Sequence, residues 1–389
     1  VRTVEVVLTS ACNLDCAYCY QNRHAPRSMN WPTLRAAADL LLRSSAPEAV
    51  LTFYGGEPLL RFPAIRRCVD YVNERLPAGK SVRFTVITNG LLLGDTIVSF
   101  LEANRVRTRL SFDGLPAAQR LRGASTFARL DGLLDHLREK HPGFFRERLC
   151  VGITLTAATI PTLAGSVEYL LAQRVPEIDV APPLTHDPDW RPALHEELDR
   201  QFRRIYCTCI LHAARTGRVP LTLFRKAPPA EEELSDPDAV CRVAAGDRLT
   251  VDVDGRVYSC AMLVESYQEL PSTPLAERLH ALRLGQVDDP RLLSQKETHL
   301  RAVRDTGLFH DTRRRYSSFG RCGECRYRRD CTVCPVSIVH QPGNSDPDRV
   351  PDFICAFNRT ALAWRDRFPA QLSGSALLEA AIRIPSAVS

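Results

Sequence analysis

Cys12-Asn13-Leu14-Asp15-Cys16-Ala17-Tyr18-Cys19 follows directly on the apolar run Val4-Glu5-Val6-Val7-Leu8. Its three cysteines stand at the spacing C-x3-C-x2-C. Thiolates at this density bind a metal or a cluster, or they cross-link. Zinc sites favour paired C-x2-C knuckles. A [4Fe–4S] cluster takes four ligands, normally all cysteine. Three cysteines on one short loop therefore leave one iron open, free to hold a substrate or cofactor. A zinc loop and three unrelated thiols are the plainer alternatives, and a strand-then-loop setting favours the cluster.

Outward from this loop, residues 1–185 read as alternating strands and helices. The expected strands are Val4–Thr9, Ala49–Tyr54, Val82–Thr88, Arg107–Phe112, Cys150–Thr156 and Glu177–Ala181. Each is short, rich in Val, Ile, Leu, Phe or Thr, and bounded by Gly, Pro or polar residues. Helical stripes lie between them. Leu34, Ala37, Ala38, Leu41 and Leu42 share one face, as do Phe62, Ile65, Val69 and Val72, and Leu163, Val167, Leu170 and Leu171. Six βα units in series predict parallel strands with right-handed crossovers. Six rather than eight predicts an α/β fold of partial, TIM-like (β/α)6 barrel type, with its site at the C-terminal ends of the strands. The cysteine loop follows the first strand, where that rule places a site.

Beyond residue 185 the pattern changes. Residues 186–240 read as a helical linker, with a helix over Trp190–Thr216 and then the Pro- and acid-rich run Ala227-Pro228-Pro229-Ala230-Glu231-Glu232-Glu233. Residues 241–355 are cysteine-dense, turn-rich and poorly periodic, so ligands rather than a core are expected to hold them. A helix resumes near Asp352–Phe368, and residues 356–389 read as a C-terminal helix and tail.

The totals fit an ordinary globular chain: 389 residues, 44% hydrophobic and 25% charged. No apolar run approaches a bilayer span, and the chain enters a strand with no signal-peptide pattern. A cytoplasmic, membrane-free setting follows as an expectation. In that setting the fourteen cysteines read as metal ligands rather than disulfides. The net charge of +6 comes without a long basic run interleaved with aromatics, which argues against nucleic acid. It weakly favours an acidic peptide.

With Tyr18 before the last cysteine, the loop resembles that of the radical S-adenosylmethionine (SAM) enzymes. In that family the open iron chelates the amino and carboxylate groups of SAM, and an electron from the cluster cleaves SAM to a 5'-deoxyadenosyl radical. The resemblance makes Cys12, Cys16 and Cys19 the ligands of that cluster. It continues in Gly55-Gly56-Glu57-Pro58 after the second expected strand, similar to the family's GGE motif. There the glycine backbone and Glu57 would bind the SAM amino group; glycine lets backbone approach a ligand closely. Thr88-Asn89-Gly90 and Ser111-Phe112-Asp113-Gly114 close the third and fourth strands. Ser111 is the implied ribose or carboxylate contact, and Asp113 a turn cap. Arg122 matches an arginine that relatives place after S-x-D-G, where a guanidinium suits a carboxylate. Leu155 is an adenine-packing candidate or a core leucine.

Seven further cysteines form an ordered pattern. Cys241-x13-Gly255-x4-Cys260 is followed by Cys322-x2-Cys325-x5-Cys331-x2-Cys334 and then Cys355. This resembles the SPASM extension of radical SAM enzymes that modify peptides, with x2 in place of the usual x3 before Cys334. A zinc ribbon is the alternative for Cys322–Cys334. Carried over by position, Cys241, Cys260 and Cys334 would bind a first auxiliary [4Fe–4S] cluster, and Cys322, Cys325, Cys331 and Cys355 a second. The first would keep an open fourth position, for which Cys207 and Cys209 are candidates. Gly255 is expected in a hairpin turn, Asp252-Val253-Asp254-Gly255. Cys68 and Cys150 fall on apolar faces as ordinary buried cysteines.

The resemblance implies a maturase acting on a ribosomally made precursor peptide, oxidising it to a thioether or carbon–carbon cross-link. Flavodoxin or ferredoxin would donate electrons. No leader-binding domain is expected ahead of the first strand, so a separate leader-recognition protein, or the barrel and the SPASM region themselves, would select the peptide. Tyr18, Tyr20, His24 and Trp31 are candidates to shape the cavity. Anaerobic sulfatase maturases, which make formylglycine, are the alternative. They place an aspartate after the cysteine matching Cys260, where this chain has Ala261-Met262. A non-catalytic iron–sulfur or zinc-organised electron-transfer or binding protein is the alternative outside the enzymes.

Overall fold

The computed structural model of the chain describes residues 1–21, 26–225, 241–266, 270–280, 282–309 and 312–369. His24, the run 227–233 and the tail beyond 369 lie outside the described residues. Six parallel strands follow one another: β1 (Thr3–Thr9), β2 (Glu48–Gly55), β3 (Ser81–Thr88), β4 (Arg107–Ser111), β5 (Leu149–Thr154) and β6 (Ile178–Ala181). Three more, β7 (Arg248–Val251), β8 (Arg256–Tyr258) and β9 (Arg283–Gln286), complete one sheet in the order β6-β5-β4-β3-β2-β1-β7-β8-β9. The first six stand within two residues of the strands expected from sequence.

The helices between them are α1 (Trp31–Arg43), α2 (Phe62–Glu74), α3 (Asp95–Ala103), α4 (Pro116–Gln119), α5 (Thr126–Lys140), α6 (Pro142–Arg148) and α7 (Leu163–Ala172). Each of the longer ones turns an apolar stripe to the sheet. On α1, Leu34, Ala37, Ala38 and Leu41 are buried, and Asn30 caps the helix by accepting from the Thr33 N–H at 2.9 Å. Burying each such leucine stabilises the fold by about 1.5–3 kcal/mol. The sheet stays open, because β6 and β9 are its two edges.

β1 explains its own sequence. It pairs in parallel with β2 on one side and β7 on the other, with Val4 opposite Leu51 and Leu249, and Val6 opposite Phe53 and Val251. A strand flanked on both sides reads as a nearly continuous apolar run. Glu5 breaks the run, and its carboxylate accepts from the Thr250 hydroxyl at 3.0 Å.

The sequence reading differs from the structure in three places. Residues 241–355, expected to be held by ligands rather than a core, have a core in which Val243, Leu275, Leu279, Val303, Ile338 and Val350 are buried. The expected boundary at residue 241 does not divide the sheet, because β7 extends the barrel sheet at β1. The hairpin at Gly255 (φ +84°) then joins β7 to β8 as expected. The helix expected from Trp190 begins instead at Leu194, giving α8 (Leu194–Thr216). Pro192 disfavours helical backbone at the residue before it, and Trp190 stacks on Phe353 with ring centroids 4.8 Å apart. The last described helix, Asp352–Arg367, packs on α8, with the Trp364 indole N–H donating to Asp199 at 2.9 Å.

Candidate active site

The cysteine loop is strapped to the ends of three neighbouring strands. The Gly56 N–H donates to the Thr9 carbonyl and the Glu57 N–H to the Ala11 carbonyl, both at 2.8 Å. A Cβ at Gly55 would lie 2.3 Å from the Thr9 carbonyl oxygen, and one at Gly56 2.1 Å from that of Ala11. Both glycines are therefore required for the close approach of β2's end to the cysteine loop. The Gln21 amide reaches the Gly55 carbonyl at 2.7 Å. From β3, the Asn89 amide donates to Asn13 Oδ1 at 2.7 Å. From the turn after α4, the Leu121 carbonyl accepts the Ala17 N–H at 2.7 Å.

Glu57 is the residue that the resemblance implies as the anion for the SAM amino group. Its carboxylate is fully buried and accepts from the Leu59 N–H (3.0 Å), the Thr88 hydroxyl (2.8 Å) and the Asn89 N–H (2.8 Å). Burial raises its pKa, and these three hydrogen bonds pull it back. Its job in this structure is to hold the end of β3 against the GGE turn. Leu155 is fully buried in the core and offers no surface to an adenine ring. Ser111 is half-buried at the end of β4, and among the described residues its hydroxyl makes no hydrogen bond.

Asp113, read from sequence as a turn cap, is instead a hub. It accepts two hydrogen bonds from Arg122, Nε to Oδ2 and Nη2 to Oδ1, both at 2.9 Å. The Thr154 N–H adds a third at 2.9 Å, tying β4 to β5, and the Tyr18 hydroxyl contacts Oδ2. Arg122 also donates to the Thr154 hydroxyl at 3.1 Å and lies 5.2 Å from the centre of the Tyr18 ring. Tyr18, beside the last cysteine, is thus fixed through Asp113. Burial, and then the Asp113 charge after the opposing pull of Arg122, raises the Tyr18 pKa far above the usual phenol range.

All fourteen cysteines are free thiols. Cys12 and Cys19 are exposed and Cys16 is half-buried. Burial pushes the Cys16 thiol up to about 11, with Arg122 opposing and Cys19 and Cys12 adding to the rise. Three accessible thiols that feel one another's charge, on a loop held from four sides, form a donor set that fits an iron–sulfur cluster with one open corner.

The second group of cysteines sorts into two sets. Cys322, Cys325, Cys331 and Cys355 line one cavity with Arg315 and Arg359. Two neutral donors reach it, the Ser317 hydroxyl to Cys355 Sγ at 3.1 Å and the Asn358 amide to Cys331 Sγ at 3.4 Å. Cys241, Cys260 and Cys334 form the other set. Burial raises the Cys260 pKa most, and Glu5, Cys334 and Cys241 add to the rise. Cys209 is buried in the barrel core on α8, and Cys207 lies two residues before it on the same helix. The structure brings neither to that set. Burial raises the Tyr54 pKa, and Glu5, Cys260 and Cys19 are among the charges that act on it. Its hydroxyl contacts that of Tyr20.

A parallel half-barrel presenting three free thiols at the end of its first strand is the architecture of an enzyme that uses an iron–sulfur cluster and SAM. Residues 6–161 match the Radical SAM superfamily, so the chain carries a radical SAM domain. A domain of this kind binds a [4Fe–4S] cluster and SAM, and the cysteine-rich region beyond residue 240 is compatible with a SPASM domain holding auxiliary clusters. The chain is 27% identical over 267 residues to an uncharacterised protein of Methanocaldococcus jannaschii, covering 66% of this chain and 83% of that protein. Its fold is similar to that of the anaerobic sulfatase maturase anSMEcpe, solved with AdoMet and the Kp18Cys peptide. There the TM-score is 0.71 at 15% identity, over 98% of this chain and 99% of that one. It is also similar to Streptococcus suis SuiB bound to its precursor peptide SuiA, with a TM-score of 0.55 at 16% identity over 91% and 75% of the two chains. Among the described residues no helix is long and apolar enough to cross a membrane.

Asn89, Asp113 and Thr154 are the site residues that sequence reasoning undervalued. The signal was present in Thr88-Asn89-Gly90 and Ser111-Phe112-Asp113-Gly114, polar residues placed where two parallel strands end.

Proposed function

We propose that this enzyme oxidises a side chain of a ribosomally made precursor peptide, held between the Cys12–Cys19 loop and the Cys241/Cys260/Cys334 set. The observation that carries the reading is Tyr54 at the end of β2, whose hydroxyl contacts that of Tyr20, the residue after Cys19, while the Cys260 charge also acts on it. A peptide there would touch the radical source on one side and an electron acceptor on the other. The peptides bound by anSMEcpe and SuiB support a peptide as the substrate class.

Cys12, Cys16 and Cys19 would hold the cluster, and SAM bound there would supply the 5'-deoxyadenosyl radical needed for hydrogen abstraction. Ser111, with an uncommitted hydroxyl, is the candidate contact for the SAM ribose or carboxylate. Arg122 keeps Nη1 outside its pair with Asp113, so it is the candidate cation for the SAM carboxylate. Cys241, Cys260 and Cys334 would hold one auxiliary cluster and the remaining four cysteines the other. The product proposed is a thioether or carbon–carbon cross-link. Ala261 and Met262, buried directly after Cys260, supply no carboxylate of the kind that sulfatase maturation uses there. Flavodoxin or ferredoxin is the proposed electron donor, and a separate recognition protein the proposed reader of the leader.

The test is anaerobic co-expression with the short reading frame beside the gene, followed by mass spectrometry. Loss of two hydrogens with a cross-link between fragments supports the reading. A peptide aldehyde would replace it with formylglycine formation.

A further inference from the structure

On the helical layer outside the sheet, side chains from three segments converge on one point. Asp95 opens α3, His136 lies one turn before the end of α5, and His141 is the single residue between α5 and α6. His136 Nε2 is 2.6 Å and His141 Nε2 3.0 Å from the same atom, Asp95 Oδ1. On its other side, His141 Nδ1 faces Glu102 Oε2 at 3.7 Å. Asp95 and Glu102 are seven residues apart on α3, which puts them on one face two turns apart. Residue 143 is glycine, and a Cβ there would fall 2.4 Å from Glu102 Oε1, so its absence leaves this carboxylate room.

The arrangement has one element out of balance. Asp95 Oδ1 takes an N–H from each Nε2, which leaves a neutral His141 aiming its Nδ1 lone pair at the Glu102 carboxylate. A cation at the convergence point resolves this. Nε2 then gives its lone pair to the metal, and Nδ1–H donates to Glu102, the carboxylate–histidine–metal order that orients many metal-binding histidines. An extra proton on His141 would satisfy the same contacts, and the experiment below separates the two.

We propose that Asp95, His136 and His141 form a binding site for a zinc-class divalent cation, with Glu102 orienting His141 from behind. Two imidazoles and one carboxylate suit Zn2+, whereas calcium and magnesium take oxygen ligands. The three donor atoms lie within 4.8 Å of one another. Closing them on bonds of about 2.0–2.1 Å needs side-chain rotation only, since Asp95 is 66% and His136 42% exposed, whereas His141 is held at 12%. The solvent-facing fourth position would take water. The bound cation would clasp the start of α3 to the corner between α5 and α6.

Anaerobically prepared holoenzyme should be equilibrated with Zn2+ alone, desalted, and analysed for zinc and iron per chain and by zinc-edge X-ray absorption. The expected result is about one zinc per chain with only nitrogen and oxygen neighbours at about 2.0–2.1 Å. That zinc disappears in His136→Ala and Asp95→Asn, with iron unchanged, and binds about 10–100-fold more weakly in Glu102→Gln. No retained zinc in the parent, sulfur in the first shell, or equal zinc in parent and both ligand variants overturns the proposal.

Discussion

Asp113 grips Arg122 at both ends of its carboxylate, with Nε on Oδ2 and Nη2 on Oδ1 at 2.9 Å each. Both residues are almost wholly buried. The pair joins β4 to β5 through Thr154 and to the cysteine loop through Tyr18. Removing one partner leaves the other as a buried, unpaired charge, which costs about 3–5 kcal/mol. Arg122→Met is therefore expected to lower stability by that amount in urea titration and to weaken SAM binding measured by equilibrium dialysis. Arg122→Lys keeps the charge but loses the two-point grip, and should fall between the two.

Gly56→Ala places a Cβ 2.1 Å from the Ala11 carbonyl oxygen, where backbone rather than a side chain must yield. The cysteine loop is then pushed off β2. The expected outcome is loss of the iron of one cluster, read by elemental analysis and electron paramagnetic resonance, with the auxiliary signals retained.

Cys209→Ala is expected to leave iron content unchanged, because Cys209 lies in the barrel core on α8. Its cost should be on the order of 1 kcal/mol, the price of a small cavity. Cys334→Ala should instead lower iron content. The two variants together test which cysteines serve the first auxiliary set.

His299 supplies a pH dependence. It is buried with neither ring nitrogen hydrogen-bonded to any described residue, and burial pushes its pKa down to about 4. The unfolded chain takes up this proton at about pH 6.5 and the folded chain only near pH 4. Stability from keeping His299 neutral is thus complete above pH 6.5 and lost as pH falls towards 4, by at most about 1.4 kcal/mol per pH unit. His299→Leu should flatten that part of the acid unfolding curve.

Much of this was legible in the sequence because strands of a parallel sheet are buried on both faces and read as apolar runs. β1 to β6 stood out that way, and the cysteine spacings pointed to both metal regions. The role of the GGE turn was not legible. Gly55 and Gly56 are glycines because Thr9 and Ala11 lie against them, a contact between chain segments more than forty residues apart. Asp113 was undervalued for the same reason, since its partners come from β5, the turn after α4 and the cysteine loop. The joining of β7 to β1 was equally hidden, because a four-residue strand carries little periodicity and its register is set by its neighbour.

The central claim is that Cys12, Cys16 and Cys19 together hold the cluster that cleaves SAM. It is tested by measuring 5'-deoxyadenosine from anaerobically reconstituted parent and from the variant with all three replaced by alanine, given SAM and dithionite. The account predicts steady formation by the parent and none by the variant, which still carries iron in its auxiliary sets. Equal rates from the two proteins would contradict it.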